Sequence, residues 1–224
     1  MTYFWILYIS SIISYYTTSI FLDTITLTYP KSTNKIQTYK SISDMKTMWS
    51  KGFISTTINF LSSVPLCIYI YCYFMEDKFK NNSKNYFFSI IMMIIYTYIS
   101  AIYFYFCHRL FHMNKTLYRY IHKYHHRWTK PICIASLAAH PFEVIFCNIF
   151  TILMPSILLP YASFSCLVFY INFLIINFVL SHSGWKILNS QHHDIHHEKF
   201  NCNYGSVLPL LNLDQIFGTE YKKN

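Results

Sequence analysis

Cys107-His-Arg-Leu-Phe-His-Met113, followed by Tyr120-Ile-His-Lys-Tyr-His-His-Arg127, decides how this chain is read. It carries His108, His112, His122, His125 and His126. A second cluster, Gln191-His-His-Asp-Ile-His-His-Glu198, carries His192, His193, His196 and His197. All eleven histidines lie between His108 and His197. His108 and His112 are one helical turn apart. His122, His125 and His126 stand at i, i+3 and i+4, which share one helix face, and His193, His196 and His197 repeat the pattern. With His182 these make nine imidazoles. One zinc ion takes four ligands, so the count points to two metal ions. Imidazole suits iron, zinc, copper and nickel, so ligand type leaves the metal open.

Outward from these clusters the chain is apolar. Of its 224 residues 54% are hydrophobic and only 12% are charged, about half the charged share of a soluble domain. The apolar residues form charge-free runs at 2–22, 53–75, 86–106, 144–159 and 162–180, of a length that spans a bilayer. The first lacks a basic start and a small-residue cleavage site, which favours a membrane helix over a cleaved signal. Pro65 predicts a kink in the second run. Val144–Ser181 holds no charge over 38 positions. With Pro155 and Pro160 it predicts a hairpin turning near 155–161, whose first arm either spans or re-enters. Glu76–Asn85 reads as a short polar loop. The fold expected is an all-α integral membrane protein, one domain over 1–224, with four to five transmembrane helices. A cap from 107–141 and 181–224 holds the di-metal site.

The histidine clusters follow the third and fifth runs, so both should face one compartment. Fifteen of the eighteen Lys and Arg fall on that side, which makes it cytosolic. This placement also explains the net charge of +9 without nucleic acid, for which no binding motif is present. The seven cysteines form no C-x-x-C and no disulfide framework. There is no H-E-x-x-H, no E-x-x-H pair, no G-x-G-x-x-G and no Walker A. A zincin, a carboxylate-bridged di-iron bundle and nucleotide binding therefore lack support. A metal carrier would show irregular histidines and acids inside the runs, and neither is seen. The sequon Asn81-Asn82-Ser83 lies too near the membrane to be used.

His108-Arg-Leu-Phe-His112, His122-Lys-Tyr-His-His126 and His192-His-Asp-Ile-His-His197 resemble the three histidine boxes of the fatty acid hydroxylase/sterol desaturase superfamily. Ala139-His-Pro-Phe-Glu143 and Ser181-His-Ser-Gly184 are similar to segments of sterol C4-methyl oxidases. Phe200-Asn-Cys-Asn-Tyr204 and Asp214-Gln-Ile-Phe-Gly-Thr219 resemble their tail, which cholesterol 25-hydroxylases share. Leu211-Asn-Leu-Asp-Gln215 departs from the family's aromatic pair and Trp-Asp-Arg. The resemblance implies an endoplasmic-reticulum oxidase in which two irons and O2 oxidise a C–H bond of a sterol. An acyl or sphingoid lipid is the alternative substrate. Electrons would come from NAD(P)H through cytochrome b5 or a reductase. Lys222-Lys223-Asn224 resembles a shifted dilysine signal.

The metal ligands expected are His108, His112, His122, His125, His126, His182, His193, His196 and His197. His140 and His192 are read as further ligands or as groups behind the ligands. Glu143 and Asp194 are candidates to hydrogen-bond a ligand N–H and fix its tautomer. Arg119, Lys123, Arg127 and Lys130 would dock an acidic electron donor or meet anionic headgroups.

Overall fold

The computed structural model describes residues 1–29, 32–37, 42–81, 85–160, 162–187 and 190–222. Its first helix, α1 (Thr2–Thr28), runs past the expected end at Leu22. Asp23 is buried within it, yet the carboxylate accepts hydrogen bonds from the amides of Cys133 at 2.9 Å and Ile134 at 3.0 Å. The charge is thus paired internally and does not end the helix. An acid does lie inside this span, contrary to the reading from sequence, and its role is structural.

α2 (Ile42–Leu61) and α3 (Ser63–Asn81) form the second span. They part at Ser62, before the expected kink at Pro65. Pro65 lies in the first turn of α3, where a missing N–H costs nothing. Glu76–Asn85 is mostly helix rather than loop: α3 continues to Asn81, and Glu76 pairs with Lys80 at 3.1 Å one turn on. Asn82 and Ser83 of the sequon lie outside the described residues, as do Lys223 and Asn224 of the dilysine-like end.

α4 (Tyr86–Met113) is 28 residues, about 42 Å long, and carries His108 and His112 in its last two turns. Asn114 ends it and caps α5 (Lys115–Tyr120), its side chain accepting from the amides of Thr116 and Leu117, both at 3.0 Å. His122–Arg127 is a 3-10 turn and not the expected α-helix.

The chain then passes through Ile132–Ala139, every residue of which is buried. Such irregular backbone is tolerated inside a bundle only if its polar groups find partners. Side chains from α1 and α2 supply them. Tyr15 Oη takes the Leu137 amide at 3.0 Å, Thr56 donates to the Ile134 carbonyl at 2.9 Å, and Asn59 donates to the carbonyls of Leu137 and Ala139, both at 3.0 Å. This part of the expected cap is a plug between helices.

α6 (Pro141–Glu143), a π segment (Val144–Ile149) and α7 (Phe150–Leu158) join into one apolar helix of 18 residues, long enough to span. Pro155 sits inside α7 rather than at the turn. Proline leaves the carbonyl four residues back without its helical donor, and the Ser100 hydroxyl meets that Thr151 carbonyl at 2.6 Å. The turn comes later, before α8 (Phe164–Ser181), which Ser163 caps. Tyr161, within the predicted turn, lies outside the described residues.

α9 (Ser190–Lys199) carries the second histidine cluster. A hairpin of β1 (Val207–Leu208) and β2 (Leu211–Asn212) and the short α10 (Leu213–Ile216) complete the chain. Among the described residues, five helical spans are long and apolar enough to cross a membrane. α1 packs on α8 and α3, and α4 on α7 and α8. Large apolar side chains such as Ile13, Phe74, Phe87 and Phe169 are exposed on the outside. Lipid, not water, suits that surface.

Candidate metal centre

Nine histidines converge where α4, the 3-10 turn, the end of α8 and α9 meet. They form two groups. His108, His112, His122, His126 and His196 make one, and His125, His182, His193 and His197 the other; within each, ligand-capable atoms lie within 4.8 Å of one another. These are the nine residues expected from sequence. Spacing placed each box's histidines on one helix face; the structure divides each box of three between the two groups. The 122–126 box gives its i,i+4 pair, His122 and His126, to the first group and His125 to the second. The 193–197 box does the reverse, giving His193 and His197 to the second group and His196 to the first. The two boxes interlock across the pair.

Hydrogen bonds fix which ring nitrogen faces inward. His108 Nδ1–H donates to the Tyr204 carbonyl at 2.7 Å, His196 Nδ1–H to Cys202 at 2.7 Å, and His182 Nδ1–H to Phe178 at 2.9 Å. A carbonyl can only accept, so each of these rings has a bare Nε2. His122 Nδ1 lies 2.9 Å from Glu143 Oε1, within ion-pair distance. The Nε2 atoms point at one another. In the first group His122 is 2.8 Å from His112, 2.9 Å from His126 and 3.1 Å from His108, and His196 is 3.1 Å from His126. In the second, His193 is 3.0 Å from His182 and 3.1 Å from His197.

Bare lone pairs at such distances repel, and the protons available cannot pair them all. Nitrogens about 2.0–2.1 Å from one ion, at right or tetrahedral angles, stand about 2.8–3.4 Å apart. The donor set therefore fits a metal ion in each group. Burial, reinforced by neighbouring imidazoles, holds His122, His125, His126, His193, His196 and His197 well below the ordinary histidine range; burial brings His182 down to about 4. Neutral rings are the form that ligates.

Glu143 lies beside His122, its Oε1 2.9 Å from Nδ1. The Asp194 carboxylate instead bonds Gln37, tying α9 to the segment before α2. His140 lies outside both groups, is exposed, and caps α6 by accepting from the Phe142 amide at 3.2 Å. His192 also lies outside them, its Nε2 3.1 Å from Asp214 Oδ2.

Asp214 is the residue whose role sequence reasoning missed. It takes the amides of Tyr204 and Gly205, both at 2.8 Å, and the Thr219 hydroxyl at 2.7 Å. It thereby shapes the loop whose carbonyls hold His108 and His196. Phe200 and Asn203, at φ 67° and 56°, turn that loop back on α9. The tail motif was visible in the sequence, but a role carried by backbone carbonyls has no side-chain signature. Arg119, Lys123, Arg127 and Lys130 are exposed around the outer side of the 3-10 turn, Arg127 stacking 3.9 Å over the Tyr124 ring.

Beneath the histidines a cavity of about 570 Å³ runs between the helices. It reaches His193 of the second group at one end and Ile68, Ile90 and Leu153 at the other. Its size is that of a small-molecule site.

The fatty acid hydroxylase family model matches residues 92–219, which hold every histidine. The chain is 31% identical over 163 residues to human fatty acid hydroxylase domain-containing protein 2, covering 70% of this chain and 47% of that protein. It is 33% identical over 132 residues to methylsterol monooxygenase 1 of Rattus norvegicus (52% and 42% covered). Against sphinganine C4-monooxygenase 2 of Arabidopsis thaliana it is 32% identical over 126 residues (51% and 48%). The chain spans about half the length of these curated relatives. No solved structure matches it. With its three histidine boxes gathered under one family match, the chain belongs to the fatty acid hydroxylase family.

Proposed function

We propose that this chain is a membrane-bound oxidase that uses O2 to oxidise a C–H bond of a sterol, a reading supported by its likeness to methylsterol monooxygenase 1 of Rattus norvegicus. The observation that carries the reading is the apolar cavity ending at His193, directly under two groups of neutral imidazoles. The nine ring nitrogens would hold two irons, which when bound supply O2 activation and a strong oxidant. The chain's own residues do the rest. The cavity takes the lipid out of water and brings one of its carbons to the histidine end. The Tyr204, Cys202 and Phe178 carbonyls and Glu143 keep the rings turned so that only Nε2 faces inward. Electrons would arrive from NAD(P)H through cytochrome b5 or a reductase docked on the exposed Arg119, Lys123, Arg127 and Lys130. The positive-inside count supports a cytosolic position for that face, and a sterol substrate would suit the endoplasmic reticulum.

The cavity's shape favours a second reading. Its lining follows α4 from Ile90 to Phe104, about 21 Å, a length that also suits an extended acyl or sphingoid chain. The deciding experiment supplies 4-methylsterols, cholesterol and labelled acyl lipids to the iron-loaded protein and reads products by mass spectrometry. Oxygenated 4-methylsterol alone supports the first reading. Hydroxylated acyl or sphingoid product alone replaces it with the second. Purified protein should carry close to two irons per chain; a single zinc, or no metal, would overturn both.

A further inference from the structure

The hairpin Val207–Asn212 is the least expected part of the fold, because a segment beyond the last span should sit in the aqueous cap. Its tip does not. The Tyr98 hydroxyl donates to the Pro209 carbonyl, and Tyr98 stands ten residues before His108 on α4. That is about 15 Å below the histidines along the helix, half the thickness of a hydrocarbon core. Between Tyr98 and Arg109 α4 carries no charged residue. The tail also hugs this stretch higher up: the Phe217 ring stacks on Tyr105 at 5.5 Å and meets Phe106 at 5.4 Å.

The side chains agree with that depth. Leu210 is fully exposed, Ile216 largely and Phe217 partly so, continuing the outward apolar face of α4 at Ile102 and Phe106. Leu210 has φ 64°. A turn with proline first and a left-handed residue second favours glycine or asparagine there, and a leucine is strained. An aqueous turn would gain by exchanging it. The backbone is suited to lipid as well. Val207 pairs with Asn212 and Leu208 with Leu211, Pro209 has no N–H to satisfy, and its carbonyl has Tyr98. Polar backbone in hydrocarbon needs that kind of internal pairing. Finally, Gly205, Ser206, Leu208 and Pro209 line the cavity. One side of the hairpin faces the cavity and the other faces outward.

We propose that the 207–212 hairpin is embedded in the bilayer, where it forms a lateral wall between the hydrocarbon of the membrane and the cavity, and that its outward partner is lipid acyl chain. The embedding rests on α4 spanning the bilayer; only the identity of the lipid behind the wall rests on the oxidase reading. The test needs no turnover. Leu210→Trp and, separately, Ile216→Trp are reconstituted in phosphatidylcholine vesicles brominated at defined acyl positions, with Tyr120→Trp as an exposed reference near the histidine end. Wild-type emission from the four native tryptophans is subtracted. Emission from 210 should be quenched by mid-chain bromine at least about twofold more than emission from 120, and should resist aqueous iodide. Position 216, nearer Arg109, should be quenched best by bromine closer to the headgroup. Iodide quenching at 210 and 216 equal to that at 120, with no bromine effect, overturns the proposal. Wild-type metal content in each variant controls for folding, and agreement of the two positions removes dependence on either one. An inactive but bromine-quenched protein would sink the oxidase reading and leave the embedded wall standing.

Discussion

Glu143 Oε1 lies 2.9 Å from His122 Nδ1, and both side chains are almost wholly buried. The carboxylate reaches the ring from the first turn of the helix that follows the plug, so a residue of one span stands behind a ligand-capable ring on another segment. Partners of this kind are worth about 10–100-fold in metal affinity or activity. Glu143→Ala should lower metal retention in the first group by that factor, and Glu143→Gln, which can still accept through its amide oxygen, should fall between. Elemental analysis after graded chelator treatment measures it. Retention equal to wild type in the alanine variant would mean that His122 is oriented by packing alone.

His125 and His196 occupy the same i+3 place in their boxes yet belong to opposite groups. Each single alanine variant should therefore weaken metal retention in its own group and spare the other: His125→Ala leaves three ligands and should lose its ion, and His196→Ala leaves four and should hold its ion less tightly against chelator. Loss of the other group's ion from either single variant would contradict the partition. Both singles should abolish O2-dependent product formation while leaving membrane insertion intact.

What the sequence made legible was set by local chemistry. Charge-free runs marked five spans because bilayer thickness fixes their length, and i,i+3,i+4 spacing marked the ligands because a metal needs convergent side chains. The interlocking of the boxes was not legible, since spacing says which residues can share a face and not which of two centres each one meets. Asp23 and Pro155 misled for a common reason. A charge or a proline reads as a boundary until a distant partner, such as the Cys133 amide or the Ser100 hydroxyl, is known. Asp214 was invisible as a support because half of its donors are backbone amides, which carry no side-chain signature.

Asp214 receives four hydrogen bonds, from two amides, the Thr219 hydroxyl and His192. Asp214→Asn turns one acceptor oxygen into a donor that faces other donors. A buried hydrogen bond to a charged group contributes about 1.5–3 kcal/mol, so a loss of at least that order is expected. Thermal unfolding in detergent reads it. The Tyr204 carbonyl should drift from His108 as well, so metal should leave the first group before the second.

Gly205 packs where a Cβ would come within 3.0 Å of Tyr105 Cδ2 and 3.2 Å of Asp214 Oδ2. Neither neighbour can yield easily, since Tyr105 is fully buried and Asp214 is held by its four donors. Gly205→Ala should cost about 1–3 kcal/mol by overpacking. The same thermal assay checks it, and an unchanged midpoint would show that the loop has slack.

Acid should unfold the metal-free protein from the histidine end. His182 titrates at about 4 when folded against 6.5 ordinarily because burial disfavours its charged form, and six other buried histidines are shifted the same way. Between those values the unfolded chain binds more protons than the folded one, so unfolding free energy rises with pH. Stability is thus full above about pH 7 and is lost as pH falls below 6.5, with His182 alone accounting for at most about 3 kcal/mol by pH 4. Asp194 opposes this: burial raises its carboxyl from 3.8 to about 6, so it favours the folded state more as pH falls through that window. Asp194 by itself cannot offset seven imidazoles. Unfolding midpoints in detergent with excess chelator, taken at pH 7.5, 6.5 and 5.5, should fall over the first step and fall further over the second. Added metal should lift all three midpoints, least at pH 5.5, where protons compete for the same nitrogens. A midpoint that rises on acidification would show that the rings are charged in the folded state, which the converging Nε2 atoms do not allow.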